Sequence, residues 1–270
     1  MRLKKKPHFL NAVFFMMISI KVFSGSQSLP SSLLYNNTPI DALCFTGSEH
    51  DSLKNCGIAF EKDMEKKGQN KTLEKQGFIG YEYHFKNAGF TTGYSYYRPI
   101  GHFENKTIVL TVSSGGGSGE FTAIKTIERI SNKLKIQTKD AGDRCNHGIF
   151  DVKKETKQIT YRAHITPFDF LTITNENPHK LKAYEDLEAC AACCAGSILI
   201  ARSLDKNFSK ATILSIDFSH YSLEPGTTNS RTYQSCFNSL ITTYKIKHKT
   251  VLTLDELKIL VQQFNKKCVQ

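Results

Sequence analysis

The sequence predicts an α+β fold, mainly an antiparallel β meander packed by C-terminal helices and stabilised by disulfides. Between residues 78 and 165, aromatic and β-branched residues alternate in short runs broken by Gly, Asn and Pro, which is the period-2 texture of half-buried strands. Beyond residue 176 the apolar spacing changes to three and four, the period of helices packed by one face. Eight cysteines stand behind an export-like leader, and an even number in an exported chain reads as a disulfide framework.

At the start of the chain, Arg2, Lys4, Lys5 and Lys6 precede an apolar run over residues 9–20 that is too short to span a bilayer. With Val22 ahead of the small residues Ser24 and Gly25, residues 1–24 read as a cleavable secretory signal. Cleavage near Ser24 to Ser26 predicts a secreted or periplasmic protein with no transmembrane span in the mature chain. Loss of the five basic residues of the leader takes the formal charge from +11 to +6. The remaining lysines are scattered among acids, without an arginine-rich helix or aromatic stripe, so no nucleic acid is expected as partner.

Residues 25–75 are polar and poorly periodic and read as a loosely ordered lead-in with a small loop between Cys44 and Cys56 and a short helix near residues 60–67. A single α+β domain is expected over 76–270, β-rich over 76–175 and helix-rich over 176–270. Its strands fall at 78–85, 90–97 and 107–113. A hairpin over 121–130 and 133–138 turns at Ser131-Asn132, and a second joins 148–153 to 158–165. Residues 169–173 fit a short helix or an edge segment. Asn177 as N-cap and Pro178 in the first turn open a helix predicted over 177–204, with Leu181, Leu187, Cys194, Ile198 and Ala201 on one face. The apolar run at 210–219 predicts a buried strand. Helices over 230–244 and 253–268 close the chain, the second opened by a capping box from Thr253 to Glu256.

Cys44 lies nearest Cys56, and Cys190, Cys193 and Cys194 are expected to tie to Cys145, Cys236 and Cys268 in some order. The spacing of Cys190 and Cys193 is also that of thiol oxidoreductases, although such pairs work at a helix N-terminus and this one lies about a dozen residues into the predicted helix. No HxxxH or second CxxC is present, and neither metal nor cofactor is expected.

Two loops hold the candidate functional residues. Gly116, Gly117 and Ser118, directly after a strand, bring backbone N–H groups where an anion can be held, with Glu120 following. The plainer reading of these glycines is a connection that needs positive φ. Asp143, Arg144, Asn146 and His147 crowd four functional side chains around Cys145 in a turn between Gly142 and Gly148. A third stretch, Asp217 to His220, places Asp217 and Ser219 on one face of a strand and His220 on the other, which opposes a simple catalytic pairing.

These residues predict a non-catalytic binding or interaction protein of the cell envelope or extracellular space, its protein or small-molecule ligand held by the two loops. The alternative is a secreted hydrolase with Ser118, Glu120 and His147 as candidate catalytic residues, and a third reading is thiol redox through Cys190 and Cys193. Substitution of Ser118 and His147 abolishes turnover in a hydrolase, whereas a binder is sensitive at Asp143 and Arg144.

Overall fold

The computed structural model describes residues 29–46, 49–50, 52–54, 56, 63–87, 92–117, 119–143, 148–174, 186–190, 193–205, 208–221 and 232–269. The predicted leader and Ser118, Arg144, Cys145, Asn146 and His147 lie outside them. Among the described residues, no helix is long and apolar enough to cross a membrane.

After a single 3-10 turn at Ser31–Leu33, β1 (Leu34–Tyr35) and β2 (Thr38–Pro39) form a small hairpin. Its turn residues Asn36 and Asn37 take the left-handed conformation that asparagine tolerates. Asp41 caps a 3-10 helix at Ala42–Phe45 by accepting from Leu43 N at 3.0 Å. Then come β3 (Glu49–His50), β4 (Met64–Gly68), α1 (Lys71–Lys75), β5 (Ile79–Phe85), β6 (Thr92–Phe103), β7 (Lys106–Ser114), β8 (Phe121–Ile130) and β9 (Lys133–Gly142). They make a seven-stranded antiparallel sheet in the order β3-β9-β8-β7-β6-β5-β4, a meander with β3 added beyond β9. Its two ends are β3, only two residues long, and β4, whose Glu65, Lys66 and Lys67 are exposed.

The chain crosses to a second sheet with β10 (Ile149–Lys154), β11 (Gln158–Ile165) and α2 (Pro167–Thr172), then β12 (Gly196–Ser203) and β13 (Ala211–Asp217). After α3 (Thr232–Lys247), β14 (Val251–Leu252) completes the order β10-β11-β12-β13-β14, and α4 (Leu254–Phe264) runs into a π-helical turn at Asn265–Val269.

Both faces of the large sheet are covered, which is why β7 reads as the continuous run TIVLTV. Ile108, Leu110 and Val112 join a core that includes the small sheet and the C-terminal helices. Val109, with Tyr97 and Ile127, meets Leu33, Ile40, Cys44 and Phe45 from the N-terminal stretch in a separate cluster. The predicted antiparallel meander with C-terminal helices and disulfides is present.

Several local expectations are corrected. Residues 196–203 form β12, not the end of a helix: Ile198 and Ile200 are buried between β11 and β13, and these β-branched residues fit the period of a strand as well as that of a helix. Met64–Gly68 is an edge strand where a short helix was expected. The strand at 211–217 is only partly buried, because its far neighbour β14 is two residues long. β6 runs on through Pro99 to Phe103, the proline accommodated where the register with β7 shifts.

The bridges also differ. Cys44–Cys56 is as expected, but Cys190 bonds Cys193, and Cys236 on α3 bonds Cys268 beyond α4. Without a helix at 193–203, Cys190 and Cys193 bond each other instead of fanning toward distant partners, while Cys194 forms a disulfide with neither of them, and packing of α3 against the C-terminal turn brings Cys236 and Cys268 together.

Candidate functional site

The two loops singled out by sequence leave the same end of the large sheet, from β7, β8 and β9. A cavity of about 360 Å³ opens there on the face covered by the N-terminal stretch. Cross-strand pairing builds its floor: Ser95 on β6 lies opposite Ser113 on β7, and Thr111 lies opposite Ala123 on β8. The side chains of Ala123, Lys125 and Ile127 point to that face because they alternate with Thr122, Ile124 and Thr126. Ala42, Phe45 and Thr46 close one side, and Phe121, 52% exposed, and Asp143 stand at the mouth.

Lys125 is the unusual member. Only 8% exposed, it donates from Nζ to the carbonyl oxygen of Phe45, and no carboxylate among the described residues lies within ion-pair distance of it. Burial pushes its amine below the ordinary lysine value. Around it the lining holds hydroxyls (Ser95, Thr111, Ser113, Thr122), apolar groups (Phe45, Phe121 and three alanines) and, at the mouth, the carboxylate of Asp143. Thr111 already donates to Ala123 O at 3.3 Å, and Thr122 accepts from Ile149 N at 2.6 Å.

Of the predicted loop residues, Asp143 lines this cavity, whereas Gly116 and Gly117 do not. Gly116 sits at φ +93°, and its N–H turns back to Ser114 Oγ at 3.4 Å, as a positive-φ connection requires. The ends of the other loop are drawn together by glycine. A Cβ on Gly148 would lie 2.2 Å from Gly142 O, so only glycine lets β9 and β10 cross this closely.

Glu120 faces the opposite side of the large sheet. It accepts a short hydrogen bond from Tyr94 and lines a cavity of about 800 Å³ between the two sheets. A third hollow, about 400 Å³, lies against the small sheet and collects Arg162, His164, Ser197, Asp217 and His220. Asp217 and His220 meet there because β13 ends at Asp217 and the chain turns, so strand alternation no longer separates them. Burial opposes ionisation of Asp217, but Ser219 N–H at 2.9 Å, with its hydroxyl, Arg162 and His220, holds the carboxyl below its usual range. Arg162 spans Ser197 Oγ at 3.3 Å and Asp217 at 3.8 Å. Among the described residues no group of acidic, histidine or cysteine side chains is arranged to hold a metal ion.

Lys125, Ser95 and Ser113 were not singled out by sequence. A signal existed: in FTAIKTIERI the inward stripe runs Phe121, Ala123, Lys125, Ile127, with a cation where the period demands an apolar residue. Compared with protein-family models, curated proteins and solved structures, the chain matches none.

Proposed function

We propose that this is an exported binding protein whose Lys125 cavity takes a small organic acid, the carboxylate against the ammonium and hydroxyls and the apolar body between Phe45 and Phe121. One observation supports the reading above the rest: a buried ammonium with no carboxylate beside it among the described residues. Leaving such a charge unpaired costs on the order of several kcal/mol, so a fold that needed only packing there is better served by an apolar residue. A cavity of about 360 Å³ falls within the range of small-molecule sites, and its mixture of apolar wall and few polar groups is typical of them. Two intact disulfides that join distant or buried cysteines, Cys44–Cys56 and Cys236–Cys268, are compatible with an extracellular or periplasmic protein.

The test uses benzoate and its neutral isostere benzamide in calorimetric titration and thermal denaturation. Benzoate is expected to bind and raise the melting temperature, benzamide to do neither, and Lys125→Met to lose the response to benzoate. Equal responses to benzoate in the wild-type and Lys125→Met proteins would overturn the assignment.

A further inference from the structure

The cavity between the sheets holds a second cation with unmet hydrogen-bonding capacity. Arg98 projects from β6 on the face opposite Ser95 and Tyr97. Its Nη1 donates to Gln76 O at 3.2 Å and its guanidinium lies 5.0 Å from the centre of the Phe78 ring. Nε is buried and has no acceptor, and no carboxylate among the described residues pairs with the group. A guanidinium does not discharge at any pH a protein survives, so the charge is permanent, and its planar fork suits a carboxylate.

Two further features line the same space. Glu120, held by Tyr94, marks the end of the cavity away from Arg98. Tyr94 and Arg98 are four residues apart on one strand, about 13 Å along it, which is roughly the length of four residues of extended chain. The other wall is β10, an edge strand of the small sheet. Its pairing with β11 shifts between Phe150 and Lys153, and Asp151 takes φ +52° there. An edge strand offers one row of backbone N–H and C=O groups to an incoming extended chain.

We propose that this cavity binds a short peptide in extended form, its C-terminal carboxylate on Arg98, its α-ammonium toward Glu120 and its backbone along the open edge of β10. The volume, about 800 Å³, accommodates such a chain. Leu110, Val112 and Val152 supply an apolar lining that selects little among side chains, so the ends of the peptide and its backbone carry recognition.

The experiment is a calorimetric titration of the full chain with tetra-alanine as the free acid, as its C-terminal amide and as its N-acetyl derivative. The free acid is expected to bind, with each blocked form weaker by about tenfold or more, the loss of one charge-assisted contact. Arg98→Gln is expected to bind the acid and the amide equally, and Lys125→Met to bind the acid as the wild type does, which separates this site from the benzoate site. If Arg98→Gln does not fold, the comparison of acid with amide on the wild-type protein decides alone. Equal affinity for acid and amide, or no binding of the acid at all, overturns the proposal.

Discussion

The ammonium of Lys125 on β8 is tied to the backbone carbonyl of Phe45, eighty residues earlier in the chain. The contact joins the large sheet to the layer that covers it and leaves a positive charge at the base of a cavity. A carbonyl oxygen solvates the ammonium without neutralising it.

Replacement of Lys125 by Met is therefore expected to raise stability while removing acid binding. Relief of an unpaired buried charge contributes about 1 kcal/mol or more, since replacing buried charges with apolar residues of similar volume is often stabilising. Urea denaturation of both proteins measures it, and a destabilised variant would mark Lys125 as a structural residue.

The pH dependence follows from the same amine. Its folded value is lowered from 10.5, so between the folded value and 10.5 the unfolded chain holds more protons, and this residue's contribution makes stability rise with pH across that window. Benzoate affinity runs the other way, falling as the ammonium discharges. Titrations of wild type at several alkaline pH values, with Lys125→Met as the reference for stability, check both signs.

Of Cys44–Cys56, Cys190–Cys193 and Cys236–Cys268, the second closes the smallest loop, with a separation of three residues, and Cys190 is exposed. It is expected to be reduced first by limiting dithiothreitol. Peptide mapping after alkylation reports the order, and earlier opening of Cys44–Cys56, with Cys44 in the core, contradicts it.

Cys236–Cys268 spans 32 residues and fastens the end of the chain to α3. Substituting both cysteines by Ser is expected to cost about 3 to 4 kcal/mol by the chain-entropy estimate. Chemical denaturation of the double variant is the measurement.

Thr166 is fully buried and caps α2 through a reciprocal box with Asp169, whose carboxylate accepts from Thr166 N at 2.9 Å. Thr166→Ala is expected to lose about 1 to 2 kcal/mol. A loss below a few tenths in urea denaturation would assign the helix start to packing instead.

The meander was legible because its aromatic and β-branched residues fall in short runs and its turns carry Ser131-Asn132 and the residues about Lys154 to Lys157. The helix expected through residue 204 failed where Ile198 and Ile200 satisfy two periods at once, and only their neighbours on β11 and β13 decide between them. The cover over Val109 and Ile127 was hidden for another reason. Leu33, Ile40 and Phe45 are isolated apolar residues in a polar stretch, and no periodicity announces which sheet they meet. The end of the sheet that carries the cavity followed from the two loops, but the cation at its base required knowing that both faces of β8 are covered.

The outermost strands of the large sheet set limits on self-association. A two-residue β3 gives a neighbouring copy too few main-chain groups to grip, and along β4 an antiparallel or parallel mate would bring lysines against lysines over Lys66 and Lys67. Polymerisation through β3 and β4 is thereby discouraged, and the small sheet's β10 is a rim where a foreign strand finds room.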